Sequence, residues 1–218
     1  LKQMLKIEKK PVLLHFVPEG KYYWVINVEH HTTDELKRSR EIATVQIDIG
    51  NAKRFGIKYI DENRKEVYPP ILHTAVLGGI ERYLYTVFDA ALKQKTPYLP
   101  LWLAPIQARV IPISDKFLKK AEEIADEMEK QCVRVDVDDR QLTLPKRVRE
   151  AETEWINYVL VVGQREIDSR VLPVRDRKAG KIREMRLQRL INEIKKQTRD
   201  KPFRASTLPR RLSDRPQF

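Results

Sequence analysis

Apolar residues recur with two different rhythms along this chain. In the first 60 residues, short runs at 12–17, 22–28, 43–49 and 57–60 are rich in β-branched and aromatic side chains. Turn-forming clusters at 18–20 and 61–63 bound them, so antiparallel hairpins are predicted. The run 22–28 (Tyr-Tyr-Trp-Val-Ile-Asn-Val) is almost wholly apolar, as expected of a strand covered on both faces. A helix is predicted over 74–92, where Val76, Ile80, Tyr83, Leu84, Val87, Phe88 and Ala91 recur at helical spacing and form a buried stripe.

Two prolines in 96–101 interrupt that rhythm. Proline confines the residue before it to extended backbone, so this stretch reads as a linker and as the domain boundary. Beyond it strands and helices alternate. Strands are predicted at 106–113, 133–137, 157–162 and 171–175, and helices at 114–130, 144–152 and 182–197. Ser114 is placed to cap the first of these helices, which buries Phe117, Ala121, Ile124, Ala125 and Met128. Leu187, Leu190, Ile191 and Ile194 share one face of the last. Alternation of this kind predicts parallel pairing in a three-layer α/β sandwich. No internal repeat is visible. The segment 201–218 has no periodicity, and packs as an extended arm or stays mobile.

Composition changes the picture mainly through charge. Of the 218 residues, 34% are charged and the formal net charge is +12, which suits a polyanionic partner. The excess is uneven: residues 175–218 hold fifteen Lys and Arg against five Asp and Glu, whereas 102–174 is close to neutral. A basic end on a neutral body points to a face for phosphates; the plainer reading is a solvated basic surface. The abundance of Glu, Lys and Arg would also suit a hot working environment. One cysteine, Cys132, excludes an internal disulfide framework and a multi-cysteine metal cluster. Its apolar context predicts a small core residue. No apolar run has the length of a membrane span and no signal peptide is evident, so a cytoplasmic protein without membrane contact is expected. The chain opens at Leu1 in a strand-like pattern, as an excised piece of something longer would.

Few residues invite chemistry by pattern alone. No glycine-rich phosphate loop, nucleophile elbow or paired-histidine metal motif is present. His30 and His31 are adjacent, so on a strand they face opposite sides and are read as structural. The segment 73–82, His-Thr-Ala-Val-Leu-Gly-Gly-Ile-Glu-Arg, is different. It places two glycines in the first turns of the predicted helix, at a cost of about 1 kcal/mol each relative to alanine. Close packing against another backbone would explain them. So would room for a planar ligand, with Arg82 one turn on to hold phosphate. Arg82 could equally pair with Glu81 or Glu66. Pattern alone leaves these readings even.

The residues 69–73 (Pro-Pro-Ile-Leu-His) followed by 77–82 (Leu-Gly-Gly-Ile-Glu-Arg) resemble the third signature motif of class II aminoacyl-tRNA synthetases. The surroundings resemble the threonyl-tRNA synthetases in particular: 43–48 their preceding strand, 101–107 the entry to their anticodon domain. Asp139-Arg140, 146–150, 161–163 and Glu166 resemble the domain itself, and 208–213 the tail of the archaeal-type branch. The resemblance runs along nearly the whole chain. It implies an α/β chain in four parts. Residues 1–95 are the closing segment of a class II catalytic domain, a partial antiparallel sheet with the motif-three helix. Residues 96–101 are a linker, 102–200 a three-layer α/β/α anticodon-binding domain, and 201–218 a basic tail.

The function so implied is ATP-dependent activation of threonine and its transfer to tRNA-Thr. Arg82 is then the catalytic arginine that meets the terminal phosphates of Mg-bound ATP. Thr44, Gln46, Gly78 and Gly79 line the ATP and amino-acid pocket, and His73 is one of three ligands of a zinc that selects threonine. Arg140, Gln141, Glu166 and Arg175 approach anticodon bases, while Lys146, Arg147 and Arg149 hold tRNA backbone phosphates. The complete enzyme is expected to be a homodimer. The chain departs from the family in lacking motifs one and two and the other two zinc ligands. Alone, it is therefore expected neither to activate threonine nor to hold zinc tightly. Gln141 stands where many relatives have Asn, and Pro145 where glycine is common. The competing readings are a non-catalytic tRNA-binding paralogue, a stand-alone anticodon-binding module and the anticodon domain of a prolyl or glycyl enzyme. A structural basic protein is the remaining one.

Overall fold

The computed structural model describes residues 2–216. Contacts divide the chain into two compact units, Leu1–Thr86 and Val87–Phe218.

In the first unit, helix α1 (Lys2–Glu8) precedes a hairpin of β1 (Trp24–Thr33) and β2 (Ser39–Asp48). Buried Asp34 closes its turn, accepting the Arg38 N–H at 2.8 Å and binding the guanidiniums of Arg38 and Arg40. Helix α2 (Asn51–Phe55) and a two-residue ladder of β3 (Tyr59–Ile60) and β4 (Glu66–Val67) follow. Asp61 shapes the predicted turn by accepting the N–H groups of Asn63 and Lys65. Strand β5 (Ile71–Ala75) pairs antiparallel with the free edge of β2, giving the order β1-β2-β5.

Several expectations fail here, beginning with the strand-like opening of the chain, which is helix α1. Residues 12–17 form no strand, and lie between Pro11 and Pro18 without a pairing partner among the described residues. Strand β1 is not covered on both faces, and most of its side chains are exposed. Helix α3 (Ile80–Leu92), which the division between the units crosses after Thr86, starts six residues later than predicted, because Gly78 turns left-handed at φ +64° and ends the strand's continuation. Its expected stripe is largely open: Ile80 is 76% exposed, Val76, Leu84 and Phe88 are exposed too, and only Ala91 of the set is fully buried.

The second unit holds β6 (Ala108–Pro112), α4 (Leu118–Lys130), β7 (Val135–Val137), α5 (Leu144–Thr153), β8 (Tyr158–Val162), α6 (Gln164–Ser169), β9 (Leu172–Asp176), β10 (Lys181–Met185) and α7 (Leu187–Thr198). The sheet order is β10-β9-β8-β6-β7. Strands β7, β6 and β8 run parallel as predicted, but β9 and β10 are antiparallel additions. The predicted helix 182–197 is thus split. Residues 181–185 pair with β9, and Arg186 is extended before α7 begins.

Helices α4 and α7 bury Ala121, Ile124, Met128, Leu190, Ile191 and Ile194 against one face of this sheet. On the other face α5 packs Ala151 against Ile111 and Val159. Three layers result. Ser114 makes no side-chain cap and leads into a single 3-10 turn before α4. Cys132 is exposed rather than buried, at φ +58° past the end of α4. Buried Arg109 on β6 holds its register partner Asp136 on β7 through two bonds of 2.9 Å, and Glu154 at 2.7 Å. Burying a guanidinium is tolerable only with such full pairing.

Of the C-terminal segment, 210–215 pack against the fold, 201–209 are exposed, and 217–218 lie outside the described residues. Arg211 bridges Val137 in parallel, extending the β7 edge, and Leu212 is buried. Arg210 pairs with Asp126 and Glu129, Arg211 with Glu122, and Arg215 with Asp136 at 3.0 Å. Much of the basic excess near the C-terminus is therefore neutralised within the fold.

Candidate functional site

Pairing across β2 and β5 sets Thr44 opposite Ala75 and Gln46 opposite His73. Strand residues two apart share a face, so these four side chains stand on one side of the sheet. A cleft of about 500 Å³ opens there, lined by Thr44, Ala75, Gly78, Gly79, Glu81 and Arg82 together with 41–43. Arg82 donates from Nη1 to the Glu41 carbonyl at 3.0 Å, not to Glu81 or Glu66. A guanidinium has five N–H donors, so this bond orients it without exhausting it.

Gly78 meets both demands that favour glycine. Its φ is positive, and a Cβ at this position would lie 2.9 Å from the Ile42 carbonyl oxygen. Close backbone approach is thus sufficient reason for Gly78. Gly79 has ordinary space around it.

His73 and Gln46 stand one residue pair beyond the cleft on the same face, about 7 Å along the strand. The Tyr23 hydroxyl donates to Gln46 Oε1 at 2.6 Å, and Thr44 Oγ1 donates to Asn27 Oδ1 at 2.8 Å. His73 Nε2 lies 2.8 Å from Oδ2 of buried Asp48. Burial opposes ionisation of Asp48. Donation from the Asn51 backbone, His73, the Gly50 backbone and the Asn51 amide outweighs it and holds the carboxyl well below the usual range. His31 is spent on Glu29 and Ser39, as a structural histidine would be. Tyr23, Asn27 and Asp48 were not singled out from the sequence, since only pairing across strands reveals them.

In the second unit, β6, β7 and β8 bring their C-terminal ends to one edge of the sheet. The segments leaving that edge carry Asp115, then Arg140 with Gln141, then Glu166. Such an edge is where open α/β sheets place their ligand-contacting loops. Arg140 grips buried Asp138 through Nε at 2.9 Å and Nη2 at 2.8 Å, and Glu150 through Nη1 at 2.8 Å. These two carboxylates raise its affinity for its proton. Gln141 Nε2 donates to both oxygens of Asp115, at 3.0 and 3.1 Å. Glu166 accepts the Gly163 N–H at 3.0 Å across the start of α6.

Arg175 lies elsewhere. It pairs with Val159 near the start of β8, so it sits toward the opposite end of that strand from Glu166. It stands 3.6 Å from Glu152 and shares a cleft of about 680 Å³ with Arg149, Trp155, Arg177 and Ile182. Lys146 and Arg149 are exposed. Arg147 is not: at 5% exposure its Nη1 donates to the Asp138 carbonyl at 2.8 Å. The expected phosphate contact is thus a bolt under the loop that carries Arg140. No helix of the described residues is long and apolar enough to cross a membrane.

A three-layer unit with polar side chains gathered at one sheet edge invites comparison with known RNA-binding modules. Residues 107–197 match the family described as Anticodon binding domain. The chain as a whole is 26% identical to the RNA binding domain of threonyl-tRNA synthetase from Cryptosporidium parvum Iowa II, with a TM-score of 0.72 over 94% of this chain and 49% of that one. It is also 54% identical, over its full length, to the threonine--tRNA ligase of Thermofilum pendens, and 53% identical over 99% of its length to that of Pyrobaculum calidifontis. The chain is a homologue of the threonine--tRNA ligases. It spans 36% of the length of each of these two relatives.

Proposed function

We propose that this chain supplies the ATP-phosphate arginine and the anticodon-reading domain of a threonine–tRNA ligase. The observation that carries the reading is similarity to those ligases along the entire chain. On this reading 1–95 closes a class II catalytic domain whose motif-three helix is α3. Residues 96–101 link it to an anticodon domain over 102–200, and 201–218 straps that domain. The enzyme works as a homodimer in the cytoplasm.

In the reaction, a threonine carboxylate oxygen bonds to the α-phosphorus of Mg-bound ATP as the bond to pyrophosphate breaks. Negative charge grows on the departing pyrophosphate, and the Arg82 guanidinium opposes it with its remaining N–H donors. Glu41 holds that guanidinium at the cleft by its carbonyl. Gly78 and Gly79 keep the adjoining wall free of side chains, and Thr44 and Gln46 present polar groups to the nucleotide and amino acid. The family's zinc would discriminate threonine from isosteric valine through its hydroxyl. Among the described residues no three His, Cys, Asp or Glu converge on one point, and His73 offers a single imidazole. These residues do not by themselves fit a zinc site.

At the other unit, Gln141 and Glu166 offer an amide and a carboxylate to the edges of unpaired bases, each good contact contributing about 1–3 kcal/mol of discrimination. Arg140 does so with the donors left over from Asp138 and Glu150, Arg175 meets the RNA from the opposite end of β8, and Lys146 and Arg149 meet phosphates. Filter binding to tRNA-Thr and to the same tRNA with an altered anticodon tests the reading. Wild type should prefer tRNA-Thr, and Arg175→Ala should weaken tRNA-Thr more than the altered RNA. Equal affinity of wild type for both RNAs would overturn it. Threonine-dependent ATP–pyrophosphate exchange by this chain alone should be absent.

A further inference from the structure

A third cleft, of about 370 Å³, opens where β6 and β7 begin, at the sheet edge away from Arg140, Gln141 and Glu166. Lys130, Lys195, Arg199 and Lys201 line it, with Phe203 and Cys132. Elsewhere in this unit guanidiniums meet carboxylates: Arg109 with Asp136, Arg140 with Asp138, Arg183 with Glu193, Arg211 with Glu122. Here they do not. Among the described residues none of Lys130, Lys195 and Lys201 pairs with a carboxylate, and Arg199 has only its exposed neighbour Asp200 at 3.7 Å. Beneath them lies buried Arg134, held by the carbonyls of Leu101, Trp102 and Ala104, and burial lowers its hold on its proton.

Helix ends explain part of this cluster, since Lys130 and Lys195 sit in the last turns of α4 and α7 where cations are favoured. Arg199 and Lys201 lie past the end of α7 and need another reason. Aromatic rings accompany the charge. Lys201 stands over Trp102 at 5.7 Å, and Phe203 is 48% exposed beside the cleft. The Arg134 guanidinium lies 5.8 Å from the Phe203 ring centroid, and cations beside the exposed remainder of that ring suit a nucleotide, phosphate on one and base on the other.

We infer that this cleft binds a single-stranded RNA segment, its phosphates among Lys130, Lys195, Arg199 and Lys201 and a base against Phe203. The contact rests on RNA being the partner of this chain, but not on which anticodon is read. It would be a second, sequence-independent hold on the RNA.

Cys132, the sole cysteine, lines the cleft and is exposed, so it reports occupancy. The rate of its alkylation by a maleimide is measured with and without a saturating short oligouridylate, which contains no threonine anticodon. Protection of about tenfold is expected, abolished by the double variant Lys195→Glu/Arg199→Glu and weakened by salt. In filter binding the double variant should lose about tenfold for tRNA-Thr and for the altered-anticodon RNA alike, with a salt slope smaller by about two. Lys201→Ala, a gentler change, should give a smaller loss with the same pattern if the double variant folds poorly. Unchanged alkylation beside the oligouridylate, or equal protection by inorganic polyphosphate, would overturn the assignment. Failure of the anticodon reading looks different: no preference between the two tRNAs, with protection of Cys132 intact.

Discussion

Ser213 and Asp139, 74 positions apart, are joined twice. The Ser213 N–H donates to one carboxylate oxygen at 3.0 Å and its hydroxyl to the other at 2.6 Å. Asp139 belongs to the loop that carries Arg140 and Gln141, so the C-terminal strap fixes that loop from outside. Ser213→Ala removes one bond, with a loss of about 1 kcal/mol in loop order. Discrimination between tRNA-Thr and its altered-anticodon form should fall by about fivefold, with little change in Tm, and Ser213→Thr should restore it. Paired binding titrations measure this; equal losses for both RNAs would reduce Ser213 to a general stabiliser.

Arg147 and Arg149, two residues apart on α5, should behave oppositely. Arg147→Ala leaves the buried Asp138 carbonyl without its donor and should lower stability by about 1–3 kcal/mol in urea melts. Arg149→Ala should leave the melt unchanged. It should weaken both tRNAs equally and reduce the salt slope by about one.

Gly78→Ala should destabilise the first unit by about 1–3 kcal/mol, because left-handed backbone and the Ile42 carbonyl both oppose a Cβ. Gly79→Ala has ordinary contact distances and should cost less. Comparing the two by thermal melting and limited proteolysis checks the assignment. Equal effects would mean that the close approach to Ile42 is unimportant.

Asp48 carries a pH signature. Its carboxyl has a lower pKa folded than unfolded, so the stability it contributes is fully present above the unfolded value of about 3.9 and is lost as pH falls below it. Asp48→Asn should therefore lower Tm at neutral pH, and the gap to wild type should shrink below about pH 4. A gap that stays constant down to pH 3 would show that the bonds to Asn51, Gly50 and His73 do not depend on the charge.

Local pattern located most of the second unit. Helices α4 and α5 and strands β6 and β8 lie within a few residues of their expected places, because their burial is set by the two packed clusters on the faces of the sheet, which a 3.6- or short-run periodicity reports directly. Strand β10 was hidden. Ile182 and Met185 are three apart, a helical spacing, and nothing local says that β9 offers them a free edge. The stripe of α3 misled for the reverse reason: apolar spacing marks a face fit to be covered, whether or not a covering element is present among the described residues.

The sequence by itself determined the alternating layers and the kinship carried by its ordered motifs, since each depends on residue type at fixed spacing. Tertiary structure alone decided which charges are spent and which remain. Arg147, Arg210 and Arg211 read from the chain as cations awaiting phosphate, yet they are bound to a carbonyl, to Asp126 and to Glu122. Charge is counted along a sequence, but its availability depends on partners that arrive from dozens of residues away. Only the folded chain brings those partners within hydrogen-bonding distance.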